Sequence, residues 1–486
     1  MMSTHEAARM TGGRTLGADV RFDSVSSDTR TLVPGALFVA LRGERFDGHA
    51  FIKAARERGA AAALIDEQAA AAPQAEADSP GDMPRVVVKD TRQGLGRLAA
   101  AWRKRLSMPL IVVAGSNGKT TVAGMIAAIL AAEFGAGRSL ATEGNFNNDI
   151  GLPLTLLRLR GEHRAAVVEL GINHPGETAQ LAAIAQPTVA LVNNAQREHQ
   201  EFMSSVADVA AEHAAVFDAL PPGGVAVINA DDDYADVWRS HCGMREHPGP
   251  AWKDGGRNAQ LSHPGVEGVV IRDFGIDKPA EVTADYQFAG FASDVQLRTP
   301  EGDIAFRLAL GGAHNVRNAV AATAAATAAG ASLQSVAAGL SRFRALKGRL
   351  QLREGRHGAT VIDDSYNANP DSVRAAIDVL SRMAGHRTLI IGDMGEVGEQ
   401  GEMFHREVGR YAADAGIDEM RALGALAAHA FAAFAEVRKG GGLWYASMDA
   451  LLEDLAEKPP GEGAILVKGS RFMRMERVVG MLAEPA

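Results

Sequence analysis

The stretch Gly115-Ser116-Asn117-Gly118-Lys119-Thr120-Thr121 has the residue types that hold a polyphosphate. A glycine-rich turn lets backbone N–H groups approach an anion, a lysine neutralises the terminal phosphates, and a neighbouring hydroxyl binds Mg²⁺. The strict pattern has glycine at Val113, so this is a shortened variant of the phosphate loop. Glu169 closes an apolar run, and a carboxylate at a parallel strand tip beside such a loop can hold the Mg²⁺ that bridges nucleotide phosphates. His199 follows the next apolar run and is a further candidate at a strand end. Asn315 and Asn318, three apart at an expected helix start, share a face and can pair with an adenine edge; helix capping explains one of them equally well. Later, Asp363-Asp364-Ser365-Tyr366-Asn367-Ala368-Asn369-Pro370, Gly392-Asp393-Met394-Gly395-Glu396 and Lys468-Gly469-Ser470-Arg471 each follow a strand candidate. Acids, amides and cations converging at three strand ends suggest a second ligand surface, and Arg349 beside a hinge could reach a phosphate.

The elements that must position these groups follow an α/β rhythm. The apolar run Leu110–Ala114 predicts a buried strand before the loop, and residues 122–134 predict a helix after it. Residues 165–170, 189–193 and 225–229 predict further buried strands alternating with helices, the pattern of a parallel sheet. Residues 269–310 alternate and carry turn signals, which predicts an antiparallel appendage, and the alanine-rich run 319–329 predicts a buried helix. The third block has strands at 359–362, 388–391 and 464–467, with Asn369 capping a helix that Pro370 opens and that spans 371–383. The first block has strands at 36–41 and 60–65 around a helix at 48–59, and ends in a connector at 69–84. The expected organisation is three α/β domains. These are a small N-terminal unit at 1–84, a central parallel-sheet ATPase unit with its appendage at 85–340, and a Rossmann-like unit at 341–486.

Composition narrows the classes. A length of 486 residues with 47% hydrophobic and 22% charged residues supports several packed cores. The net charge of -9, with no basic run to offset it, argues against a nucleic-acid partner; Arg103-Lys104-Arg105 reads as a solvated helix end. One cysteine, Cys242, excludes an internal disulfide framework and fits a reducing compartment. No apolar run reaches spanning length, and the N-terminus, with Glu6 and Arg9, lacks a signal-peptide core, so a cytoplasmic protein without membrane insertion is expected.

Taken together, the motifs resemble the Mur ligases, ATP-dependent amide-forming enzymes of peptidoglycan synthesis. The resemblance covers essentially the whole chain and rests on residues 115–121, Glu143-Gly144-Asn145-Phe146-Asn147-Asn148, Glu169-Leu170-Gly171 and Gly312-Ala313-His314-Asn315. Residues 364–370, 392–396 and 468–471 are similar to the branch that adds D-alanyl-D-alanine to UDP-N-acetylmuramoyl-tripeptide. Ser26-Ser27-Asp28-Thr29-Arg30 and residues 35–43 resemble that branch's domain for the uridine nucleotide substrate.

The resemblance implies ATP and Mg²⁺ as cofactors, and roles for named residues. Gly115, Ser116, Asn117, Gly118, Lys119, Thr120 and Thr121 would hold the ATP phosphates, Asn315 would lie at the adenine, and Arg349 and Asp364 would be brought in by the third domain. Thr120, Glu169, His199 and His213 would be metal ligands, and Lys119, Glu169, His199 and Asp364 the catalytic set. Ser26, Ser27, Thr29, Arg30, Asn147, Asn367, Asn369, Lys468 and Arg471 would contact the UDP-tripeptide and the dipeptide. The implied reaction passes through an acyl phosphate in a monomeric enzyme. One departure stands out. Relatives carry a lysine, carbamylated at the metal site, on the helix after the metal-binding histidine; this chain has no lysine between Lys119 and Lys253, and His213 occupies that place. His213 or Glu212 could substitute. The alternatives are a sister ligase adding a single amino acid, a folate-type polyglutamate ligase, or a non-catalytic nucleotide and UDP-sugar binder.

Overall fold

The computed structural model describes residues 1–43, 46–71, 83–198, 200–243 and 268–484. Each of the three domains is built on one mostly parallel sheet of five or six strands, and ligands of such open α/β sheets bind beyond the carboxyl ends of the strands.

In the first domain five strands lie in the order Arg14–Leu16, Arg85–Val88, Ala62–Asp66, Ala36–Val39, Ser24–Ser26, parallel except for the first. Arg85–Val88 was expected to open the central domain, yet it pairs with Ala62–Asp66, so the first unit extends to Val88. Its three buried valines need a second strand beside them, and the first sheet supplies it. Most of the expected connector, residues 72–82, lies outside the described residues.

The central sheet is wholly parallel, in the order Val270–Phe274, Val225–Asn229, Val189–Val192, Leu110–Ala114, Ala165–Glu169, Ser139–Ala141. Leu110–Ala114 therefore sits mid-sheet, flanked by the strands that deliver Glu169 and Asn193. Val270–Phe274 was expected in the antiparallel appendage. It is instead the parallel edge of this sheet, where its residues run from exposed at Val270 to buried at Phe274. The appendage itself is Thr283–Ala289, Ala292–Thr299 and Gly302–Leu308, all antiparallel. The alanine-rich segment forms the buried helix Ala313–Ala328, whose small side chains permit close packing on the phosphate-loop helix. Arg103, expected in solvent, is buried and donates from its guanidinium to the carbonyls of Leu106 and Met108, closing the end of its own helix.

The third sheet runs Gln351–Glu354, Thr360–Asp364, Gly463–Lys468, His386–Gly392, Glu419–Leu423, Gly442–Tyr445, with only the first strand antiparallel. Helix Pro370–Ser381 opens as expected, with Asn369 accepting from the Ser372 N–H in a capping box. Among the described residues no helix is long and apolar enough to cross a membrane.

The phosphate-loop helix is Lys119–Phe134, and helix Leu333–Arg342 lies against it. A Cβ added at Gly339 would meet the Ile129 backbone at 2.7 Å, and backbone on a packed helix cannot yield. Gly339→Ala should therefore destabilise by about 1–3 kcal/mol through overpacking. A thermal midpoint equal to wild type by calorimetry would refute this contact.

Candidate active site

Helix Lys119–Phe134 begins three residues earlier than its apolar pattern suggested, which places Lys119, Thr120 and Thr121 in its first turn. No side chain caps this N-terminus, so its first N–H groups and its positive dipole end face the cavity. Gly118 makes the turn possible. Its φ is +82°, and a side chain there would strike Asn318 Oδ1 at 2.6 Å. Behind the loop, the Asn194 side chain is bonded to it twice, accepting from the Asn117 N–H (2.8 Å) and donating to the Asn117 carbonyl (3.1 Å). Asn193 also donates to the Asn117 carbonyl (2.8 Å) and to Asn318 Oδ1 (3.0 Å). Asn318 in turn donates to Asn315, which donates to the Gly311 carbonyl. The two asparagines are thus one rung of a buried amide ladder fixing the loop, and Asn315 and Asn318 both line the cavity.

The cavity holds about 790 Å³ and lies between the central and third domains. Its walls include the phosphate loop from Ser116 to Thr121, Asn147, Glu169, Asn315, Arg349, Asp364, Asn367, Asn369, Lys468 and Arg471. Lys119 turns its ammonium onto the carbonyls of Gly115 (2.5 Å) and Ser116 (2.9 Å), with Glu198 Oε2 at 3.4 Å. Glu169 is almost fully buried at 4% exposure, with one oxygen accepting from Asn147 Nδ2 at 2.8 Å and no cationic partner among the described residues. A buried carboxylate without a cation is costly unless a cation arrives. Glu169 and Thr120 both line the cavity, and carboxylate and hydroxyl oxygens are the donor types that hard divalent cations take. Asn147 therefore orients Glu169 besides facing the substrate space.

On the third domain, Asp364 is held on both oxygens. One receives the Lys468 ammonium at 2.6 Å and the other the Leu350 N–H at 3.1 Å. Asp364 thereby pins the interdomain segment next to Arg349, whose guanidinium lies 4.3 Å over the Tyr366 ring. Arg471 approaches the same ring from 5.7 Å. Lys468 also donates to the Asn367 carbonyl, and Asn369 exchanges hydrogen bonds with Asn117 across the domains at 2.9 and 3.4 Å.

Other expected site residues lie elsewhere. Ser26, Ser27, Thr29 and Arg30 are at the end of strand Ser24–Ser26 in the first domain and do not line this cavity. Arg30 there is bidentate to Asp28. His199 lies outside the described residues. His213 is 1% exposed and off the cavity wall; its Nε2 faces Glu198 Oε1 at 3.1 Å. The carboxylate that reaches the cavity is Glu198, and His213 backs it. Sequence reasoning missed Glu198, Arg197 and Asp371. Two of them stand beside singled-out residues, but nothing local showed which partners they would meet.

Family models match the chain as the Mur ligase family, catalytic domain (residues 21–103), the Mur ligase middle domain (113–253) and the Mur ligase, glutamate ligase domain (348–471). The chain belongs to the Mur ligase family. It is 39% identical over 474 residues, covering 97% of this chain and 96% of the relative, to the UDP-N-acetylmuramoyl-tripeptide--D-alanyl-D-alanine ligase of Escherichia coli. A crystal structure of MurF from Acinetobacter baumannii superposes with a TM-score of 0.82 at 30% identity, over 98% of each chain. The fold also matches a MurF ligase from Thermotoga maritima in complex with ADP, with a TM-score of 0.73 at 23% identity over 94% of this chain and 96% of that one.

Beside the cavity, His405 is wholly buried, and its two ring nitrogens serve two backbone groups. Nδ1–H donates to the Gly401 carbonyl (2.6 Å) and Nε2 accepts the Met394 N–H (2.9 Å), steadying the 393–397 loop. Only the neutral ring can do both, and burial lowers its pKa from 6.5. The unfolded chain then binds the proton more readily, so stability is complete above about pH 6.5 and declines as pH falls below it. His405→Gln should flatten part of that decline; parallel melting curves of the two proteins between about pH 8 and pH 5 would contradict the assignment.

Proposed function

We propose that this chain joins D-alanyl-D-alanine to the peptide carboxylate of UDP-N-acetylmuramoyl-tripeptide, spending ATP. The observation that carries the reading is one cavity bounded by an uncapped phosphate-loop helix, a cation-free buried carboxylate and the third-domain segment 364–371. The activity named for the Escherichia coli relative, matched over nearly the full length of both chains, supports it. The ADP complex of the Thermotoga maritima structure supports a nucleotide in this fold.

In this reading the first-turn N–H groups and Lys119 take the β- and γ-phosphates, Lys119 leaving the carbonyls of Gly115 and Ser116 to do so. Asn315 and Arg349 border the nucleoside end. Mg²⁺ held by Thr120 and Glu169 would offset the charge crowded between phosphates and substrate carboxylate. That carboxylate attacks the γ-phosphorus, releasing ADP and leaving an acyl phosphate. The dipeptide amine attacks the acyl carbon through a tetrahedral intermediate, and phosphate departs. Asn367, Asn369, Lys468 and Arg471 offer amides and cations for the dipeptide, while Ser26, Ser27, Thr29 and Arg30 await the uridine nucleotide on the first domain. Water would hydrolyse the acyl phosphate, so the seam sealed by the Asn117–Asn369 pair belongs to the chemistry. A cytoplasmic monomer fits the single buried cysteine and the nucleotide-linked substrates.

ADP release measured with the UDP-tripeptide, with and without the dipeptide, tests this directly. Dipeptide-dependent release is expected, and Lys119→Ala or Glu169→Gln should each lower kcat/KM by about 10²-fold or more. Release that ignores the dipeptide, or full activity in Lys119→Ala, would overturn the reading.

A further inference from the structure

Arg197 lies on the loop after strand Val189–Val192, in the central domain, yet among the described residues its side-chain hydrogen bonds and ring contact are with the third. Its Nε sits 3.1 and 3.2 Å from the two Asp371 oxygens, and Nη2 reaches Asp371 Oδ1 at 2.5 Å. Nη1 and Nη2 reach Glu407 at 2.7 and 3.1 Å, and the guanidinium covers the Phe404 ring at 5.2 Å. The Arg197 backbone N–H also donates to Asp371, at 3.0 Å. A guanidinium is the one side chain whose planar fork can bridge two carboxylates in this way.

The other side of the same loop is fastened to the phosphate loop. Ser116 N–H donates to the Asn194 carbonyl (2.9 Å), and Gln196 N–H donates to Ser116 Oγ (2.9 Å). Asp371, in turn, is in the first turn of the helix that Asn369 caps. One short loop therefore touches both the phosphate cradle and the helix start that follows Asn367 and Asn369. The clamp is also built to open. When Arg197 leaves, Glu407 keeps Arg374 (3.1 Å) and Asp371 keeps the helix N-terminus, so neither acid is stranded.

We propose that Arg197 is a positioning residue that couples the dipeptide end of the cavity to the phosphate loop, so that nucleotide and amine substrate strengthen each other's binding. This rests on the reaction proposed above. Arg197 borders the same cavity, but its guanidinium is taken up by Asp371 and Glu407, so it acts by setting the third-domain helix start and the cradle in mutual register. Linkage then requires that each ligand raise the other's affinity by the same factor.

Calorimetric titration with a non-hydrolysable ATP analogue, in the presence of UDP-tripeptide and with or without D-alanyl-D-alanine, reads this coupling. In the wild type the dipeptide should tighten the analogue by about 5-fold or more. In Arg197→Met the affinity without dipeptide should stay within about 2-fold while the coupling factor falls towards 1. Arg197→Lys should rescue little, since an ammonium cannot bridge both acids, and Asp371→Asn should be non-additive with Arg197→Met. If Arg197→Met does not fold, Asp371→Asn alone carries the same expectation. Unchanged coupling in a folded variant, or none in the wild type, overturns the proposal. Either result with dipeptide-dependent ADP release intact leaves the reaction standing, whereas loss of that release in the wild type removes the reaction itself.

Discussion

A partly buried ammonium needs counter-charge or carbonyl oxygens, and the way Lys119 meets that need organises much of the surrounding structure. Its two carbonyl acceptors, Gly115 and Ser116, belong to its own loop, so the lysine is stored against the element it later serves. Glu198 adds the charge, and a carboxylate only 8% exposed itself needs donors, which the lysine and the wholly buried ring of His213 supply. A chain of requirements thus runs from the cavity to helix Val206–Ala214. A polyphosphate would satisfy Lys119 in place of the carbonyls, which makes ligand binding an exchange of partners and not the creation of a charge.

The second constraint is that the cavity has walls from two domains. An interdomain surface within one chain is ordinarily polar and adjustable. Here its polar contacts are placed where they touch ligand-holding elements: Asn117 with Asn369, and Arg197 with Asp371 and Glu407. The hinge itself carries Leu350 at φ +52°, an uncommon conformation for that residue, held by the Asp364 carboxylate. Strain at a domain junction persists only when its surroundings fix it, and here the fixing group is on the cavity wall.

Much of this was legible in the sequence because local signals and tertiary demands agreed. The strand before the phosphate loop, the Asn369-Pro370 helix start and the buried alanine helix follow from apolar runs, caps and small residues alone. Two segments were misjudged for one reason. Arg85–Val88 and Val270–Phe274 both lie near a domain or subdomain border, and a strand's own residues do not say which sheet will take it. The helix start at Lys119 was placed late because its first turn is polar, the character that a phosphate site requires. Pattern also reached the three strand ends of the third domain that border the cavity, and the resemblance added roles for their residues. It could not supply side-chain pairing, which is why Arg197 and Glu198 were passed over while their neighbour His199 was singled out.

The position of His213 bears on how far a residue-for-residue transfer reaches. By chain position, His213 stands where the resemblance implies a lysine that would carry a carboxylate to a metal site, which leads to the expectation of a histidine ligand. The geometry gives the two residues different places: Glu198 is on the cavity wall, and the imidazole of His213, on helix Val206–Ala214, holds that carboxylate from behind. A genetically encoded carboxylate needs no carbon dioxide to form, so in this chain the acidic lining depends on folding alone.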